Sequence, residues 1–140
     1  MNKKEVFFSF IFYSVFGWAI DSTTRSLYDM RWETGNALGI PFSPMYGIAA
    51  IAIIWIHPVI EKWHFWQQVV FYAVTAGMYE YSGGMFSEWF LGRRLWDYSG
   101  FPFTLGRYTD PIHALIWGLL AMFVVYYIHP YLKKFLRLHL

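Results

Sequence analysis

Four long apolar runs, separated by short polar and aromatic stretches, organise the chain. They cover residues 6–27, 44–60, 65–91 and 111–132. Each is close to the roughly 20 residues a helix needs to cross a bilayer. The second is short unless its aromatic ends reach into the interface. The first has a rival reading, since "MNKK" followed by "VFFSFIFYSVFGWA" has the form of a signal peptide with a small-x-small site at Gly17-Trp18-Ala19. Polar residues with helical spacing continue past Ala19, so a retained helix is expected. The pattern predicts an all-α integral membrane protein with four transmembrane helices in a single domain of residues 1–140.

Composition fixes the solvent. The 140 residues are 57% hydrophobic, 24% aromatic and 14% charged, whereas soluble domains carry about 25% charged residues. A soluble chain this short could not hide so much apolar surface, because small domains bury the smallest fraction of theirs. Lipid accepts that surface. The absence of cysteine excludes disulfides and thiolate metal sites. A formal charge of +2, poorly clustered, argues against nucleic acid.

Charge sets the expected orientation. With four spans, both termini and the 57–66 turn share one side, which holds Lys3, Lys4, Lys62, Lys133, Lys134 and Arg137. Arg25, Arg31, Arg93, Arg94 and Arg107 fall on the other side, among seven of the nine acids. The Lys side reads as cytoplasmic, and Arg, whose rigid fork suits pairing, interleaves with acids opposite. A bacterial inner membrane with both termini cytoplasmic is the expected setting.

The two halves echo each other. "WIHPVIEKW" (55–63) parallels "YIHPYLKKF" (127–135), "IPFSP" (40–44) parallels "FPFTL" (101–105), and Asp21 parallels Glu80. Two repeated hairpins, of about 5–63 and 64–135, would have an axis along the membrane normal, as parallel repeats in transporters do.

The candidate chemistry sits at the outer end. Asp21 precedes Arg25 by one turn, within side-chain reach. Gly77, Glu80, Gly84, Ser87 and Glu88 share one stripe, and its small residues let another helix come close. Glu80 lies about 22 Å in from Phe65, within a ~30 Å core. An acid at that depth must be paired, hydrated or protonated, and it marks a functional site unless shown otherwise. Arg93, Arg94 and Glu33 read as solvated loop charges, or as ion pairs closing the helix end with Glu88. Trp96, Asp97, Tyr98, Arg107, Asp110 and His113 lie close together in sequence. Asp110-Pro111 has the form of a helix N-terminus. His113 reads as a hydrogen-bonded structural histidine, placed where it could also carry a proton. The two His-Pro pairs could be taken for axial haem ligands, but interfacial anchoring explains them, and no cofactor or metal is expected.

At "FGWAID" (16–21), "PFSPMYG" (41–47), "YEY" (79–81), "LWDYS" (95–99), "GR" (106–107) and "IWGLL" (116–120) the chain resembles the bacterial family of ABC-transporter permeases of small polytopic type. That family is itself similar to the vertebrate transmembrane protein 229 group. The resemblance covers about residues 10–132. Asp21, Ile40, Ser43 and Thr104 stand where the family pattern has Glu, Gly, Cys and Asn. It implies functional interest at Asp21, Glu80, Trp96, Asp97, Tyr98 and Arg107, and a separate ATPase if transport is ATP-driven.

The expected function is a small permease or permease-like subunit with a polar, aromatic-lined cavity towards the non-cytoplasmic side. Asp21, Glu80, Glu88, Asp97, Arg107 and His113 would bind a solute or cation there, with Arg25, Trp96, Tyr98 and Asp110 supporting the loops. Membrane lipids and a homo-oligomer or heteromeric complex are the expected partners. The alternatives are an intramembrane enzyme on a lipid or isoprenoid substrate, with Glu80 or Asp97 as acid–base and Arg94 and Arg107 clamping a phosphate, and an accessory scaffold.

Overall fold

The computed structural model describes residues 1–32 and 39–139; Glu33 lies outside the described residues. The regular elements are α1 (Lys3–Asp29), α2 (Pro44–Ile60), α3 (Phe65–Leu91), α4 (Pro111–Phe123), a π-helical turn (Val124–Ile128) and α5 (His129–His139). An isolated bridge joins Leu105 and Thr109, and no strand occurs among the described residues. The fold is all-α.

Local chemistry accounts for the helix ends. Asn2 and Glu5 form a reciprocal capping box at the start of α1, with Glu5 N donating to Asn2 Oδ1 at 2.8 Å and Asn2 N to Glu5 Oε2 at 2.9 Å. Gly92 ends α3 with φ +64°, a left-handed conformation that costs glycine little. The π turn directly precedes His129-Pro130. Pro130 offers no N–H to the carbonyl four residues back and its ring crowds that oxygen, so the chain widens there instead of breaking. Pro58 stands in the last turn of α2, which ends two residues later.

Lys3–Leu27 (25 residues) and Pro111–His139 (29 residues) are long and apolar enough to cross a membrane. Only 28% of the most apolar stretch of each is buried, whereas the core helix of a soluble protein would be mostly buried. Phe7, Phe8, Ile11, Phe12 and Val15 on the first, and Ile112, Leu115, Ile116, Leu119 and Phe123 on the second, are exposed. That surface suits hydrocarbon. Two of the four expected spans thus have the length and hydropathy of crossing helices. With 17 residues α2 is shorter, and the 27-residue α3 carries Gln67, Gln68, Glu80 and Glu88.

The chain divides into two compact units, Met1–Trp55 with Tyr127–Leu140, and Ile56–Tyr126.

In the first unit α1 meets the start of α2 through two glycines. A Cβ at Gly17 would lie 2.3 Å from Tyr46 Cβ, and one at Gly47 would lie 2.2 Å from Ser14 Oγ. Small residues are what permit such an approach. Tyr13 Oη pairs with His129 Nδ1 at 3.3 Å, and Arg137 Nε donates to Glu5 Oε1 at 3.4 Å, tying α5 to α1.

In the second unit α3 and α4 pack closely. A Cβ at Gly118 would lie 2.8 Å from Ala73 N and 2.9 Å from Val69 O, so backbone meets backbone there. Val69, Tyr72, Ala121 and Met122 are buried. The turn into α3 is closed by Gln68, whose Nε2 donates to Trp63 O at 2.9 Å while its Oε1 accepts from Tyr126 at 2.9 Å. His57 Nδ1 pairs with Tyr72 Oη at 3.0 Å.

Candidate functional site

Residues 92–110 link α3 to α4 and fold back over their ends. The means is a tight turn at Leu105–Tyr108, whose central residues Gly106 and Arg107 both have positive φ, +57° and +67°. Positive φ at both central positions is the geometry of a type I′ turn. Tyr108 N donates to Leu105 O at 3.0 Å, and Leu105 N to Thr109 O at 2.8 Å. Arg107 O accepts from Tyr98 N at 2.9 Å, so the turn also holds the segment carrying Tyr98. Trp96 Nε1 donates to Tyr108 O at 2.7 Å.

This scaffold brings three donors to Glu80. Its Oε1 accepts from Tyr98 Oη at 2.9 Å and from Trp117 Nε1 at 2.7 Å. Its Oε2 accepts from Thr109 Oγ1 at 3.0 Å. Glu80 is 6% exposed. The donors come from the loop, from the turn into α4 and from α4 itself. All three are neutral, and no Lys or Arg hydrogen-bonds to this carboxylate among the described residues. The glycines of the expected stripe make room for the arrangement. Gly77 faces Ala114 and Thr109, and a Cβ at Gly84 would lie 2.5 Å from the Tyr108 ring.

A second, more exposed group lies at the end of α3. Arg94 grips Glu88 with two bonds, Nε to Oε2 at 3.0 Å and Nη2 to Oε1 at 3.1 Å, and Asp97 Oδ2 with Nη1 at 3.1 Å. Tyr108 donates its hydroxyl to Glu88. Hydrogen bonding to Glu88 raises the Arg94 pKa further above its ordinary value, so its charge is permanent. The Ser99 hydroxyl and backbone N–H, followed by Arg94, hold Asp97 below the usual carboxylate range. The hydrogen bond to Glu88 pushes the Tyr108 phenol up. Arg94 is therefore paired, not simply a solvated loop charge.

Asp110 caps α4 as its sequence context predicts, accepting from Ile112 N at 2.9 Å and His113 N at 3.1 Å, and is 1% exposed. Its second oxygen shares a 2.5 Å hydrogen bond with His113 Nδ1. The His113 ring stacks on Tyr98 with centroids 4.3 Å apart, and Phe101 packs edge-on against it. Glu80, Tyr98, His113 and Asp110 thus form one continuous cluster. Arg107 is exposed in its turn, near enough to Glu88 to act on its charge.

Asp21 lies in the first unit, where Arg25 Nε donates to its Oδ2 at 2.9 Å and the Tyr46 side chain hydrogen-bonds to it. Sequence reasoning missed Thr109, Tyr108 and Trp117 as partners of the acids, and no spacing rule links those positions to residues 80 and 88. Among the described residues no group of three or more His, Cys, Asp or Glu could hold a metal ion. An open groove along α3 is lined by Trp63, Trp66, Val70, Phe71, Val74 and Met78, with none of the acids.

A family described as "Putative ABC-transporter type IV" matches residues 8–139. The chain belongs to this family. Membership agrees with the two membrane-length helices in giving an integral membrane protein of transporter type, in the context of a membrane complex. No curated protein and no solved structure matches the chain.

Proposed function

We propose that the chain is the membrane-embedded subunit of a transporter, and that the cluster around Glu80 recognises a small cation or protonated solute. One observation supports the reading: a buried carboxylate within a membrane protein is held by three neutral donors and, among the described residues, by no Lys or Arg. Neutral donors stabilise negative charge without cancelling it. The site can therefore exchange a proton or accept a positive group, as intramembrane acids in transport pathways do.

The Arg94–Glu88–Asp97 group has a different character, since both its acids are bonded to the fixed charge of Arg94. Its role in this reading is to pin the 92–110 loop and keep Tyr98 and Thr109 in place. Asp97 and Arg107 act as loop supports, and Asp110 and His113 hold the Tyr98 ring. Asp21, with Arg25 and Tyr46, is the counterpart acid in the first half of the chain.

The finer architecture belongs to the same proposal: four spans as two repeated hairpins, both termini cytoplasmic in a bacterial inner membrane, and assembly with further subunits. An ATPase on a separate chain would supply energy, consistent with the family. The test is Glu80→Gln in proteoliposomes. Uptake of a cationic solute carried by the parent protein is expected to be lost while the protein stays folded. Undiminished uptake of every carried solute would leave the three hydrogen bonds as a loop fastening only.

A further inference from the structure

One face of α1 is polar along a helix long enough to cross the membrane. Ser14, Trp18, Asp21, Ser22 and Arg25 recur at i, i+4, i+7, i+8 and i+11, the spacing of a single helical stripe. The Asp21 and Arg25 end is paired, with Tyr46 completing it. The rest is not. Ser14 Oγ, Trp18 Nε1 and Ser22 Oγ are buried and have no hydrogen-bond partner among the described residues. Ser14 and Ser22 are 0% exposed. Ser9 also lacks a partner, but nine residues separate it from Trp18 and place it on the opposite side of α1.

Serine in a helix ordinarily satisfies itself by bonding back to the carbonyl one turn earlier. Ser26 and Thr24 do so, donating to Ser22 O at 2.6 Å and Ile20 O at 2.9 Å. Ser14 and Ser22 do not. Unmade hydrogen bonds at buried groups carry their full desolvation penalty, and hydrocarbon offers nothing in exchange. Three such groups on one stripe, leading from an ion pair towards mid-membrane, have one simple common complement. Water can accept from the indole N–H and both give to and accept from the hydroxyls.

We propose that Ser14, Trp18 and Ser22 line a water track running from Asp21–Arg25 down α1, which the structure shows closed. At about 1.5 Å per residue it reaches roughly 16 Å from Arg25 to Ser14. Gly17 and Gly47 flank it, and Gly47 lies directly against Ser14, so the hydroxyl end meets backbone and not a bulky side chain. The inference deepens the transport reading, because a hydrophilic solute needs such a route, but its test reads water access and not uptake.

The chain has no cysteine, so single substitutions report cleanly. Ser14→Cys and Ser22→Cys are nearly isosteric. In vesicles, a charged, membrane-impermeant methanethiosulfonate is expected to modify both at least about tenfold faster than Phe8→Cys and Phe12→Cys on the exposed apolar face, because only a hydrated thiol ionises to the reactive thiolate. Equal, slow rates at all four positions overturn the proposal. Hydroxyl-radical footprinting of the unsubstituted protein gives a second readout, free of folding defects. With each rate divided by that of the free amino acid, Trp18 is expected to be oxidised well above Phe8 and Phe12, and a normalised rate for Trp18 no higher than theirs overturns the track. Loss of uptake in Glu80→Gln with slow labelling at residues 14 and 22 would sink the track and leave the Glu80 site standing; the reverse pattern would do the opposite.

Discussion

Truncating residue 80 and merely neutralising it should have sharply different consequences for stability. In Glu80→Ala, Tyr98 Oη, Thr109 Oγ1 and Trp117 Nε1 all lose their acceptor at once. A buried donor deprived of its partner costs about 1–3 kcal/mol. Thr109 is buried, whereas Tyr98 and Trp117 are only half-buried and recover part of the loss. The sum is about 3–5 kcal/mol, within the range for breaking a buried polar network. In Glu80→Gln the amide oxygen can still accept from Tyr98 and Trp117, and the new NH2 can donate to Thr109, whose hydroxyl also accepts. A reversed bond and a removed buried charge nearly cancel, leaving the change within about 1 kcal/mol. Reversible unfolding in mixed micelles, followed by near-ultraviolet circular dichroism, separates the two. An alanine variant as stable as the parent, or a glutamine variant as damaged as the alanine one, would refute the hydrogen-bond network.

Three further outcomes follow from the geometry. Gly118→Ala should cost about 1–3 kcal/mol by overpacking, because the new methyl meets Ala73 N and Val69 O rather than a movable side chain; Gly100→Ala, with open space around it, should be neutral in the same melts. Asp97 has a folded-state pKa below its ordinary 3.8, so its stabilisation is complete above that pH and is lost as pH falls through the lower folded value. The stability gap between the parent and Asp97→Asn should thus be constant near neutrality and close below about pH 3.8; a gap that widens on acidification contradicts the sign. Gly84→Ala should expel the Tyr108 ring from α3, and tyrosine fluorescence or loop proteolysis should report it, with no change expected from Gly92→Ala at that ring.

Much of the helical frame is legible in the chain. Pro44 and Pro111 mark helix starts, and the bounds 44–60 and 65–91 coincide with α2 and α3. Of the stripe Gly77, Glu80, Gly84, Ser87 and Glu88, the first four are buried, so Glu80 lies on the face turned to protein, whereas Glu88 at the helix end is only half-buried. The expected pairing of Asp21 with Arg25 is present too. Less legible is what Glu80 holds. Its partners are contributed by residues 98, 109 and 117, and their convergence depends on Arg107 adopting φ +67°, which a non-glycine residue rarely does and no composition signal announces. The π turn was equally hidden, with Pro130 as its only trace. Orphaned atoms on α1 could not be read at all, because a missing partner is visible only in three dimensions. The hydropathy of α3 shows the limit from the other side: the polar residues that make it interesting also remove it from the helices that qualify as spans on composition.

The central claim is that Glu80 is a recognition carboxylate and not only a fastening. Ligand-linked stabilisation tests it most directly, because a compound binding the native state at a hundred times its Kd adds about 2.7 kcal/mol. Thermal melts of the parent and Glu80→Gln against a panel of monovalent cations and small protonated amines should reveal at least one compound that raises the melting midpoint of the parent and leaves that of Glu80→Gln unmoved. A panel that shifts neither protein, or shifts both alike, contradicts the claim.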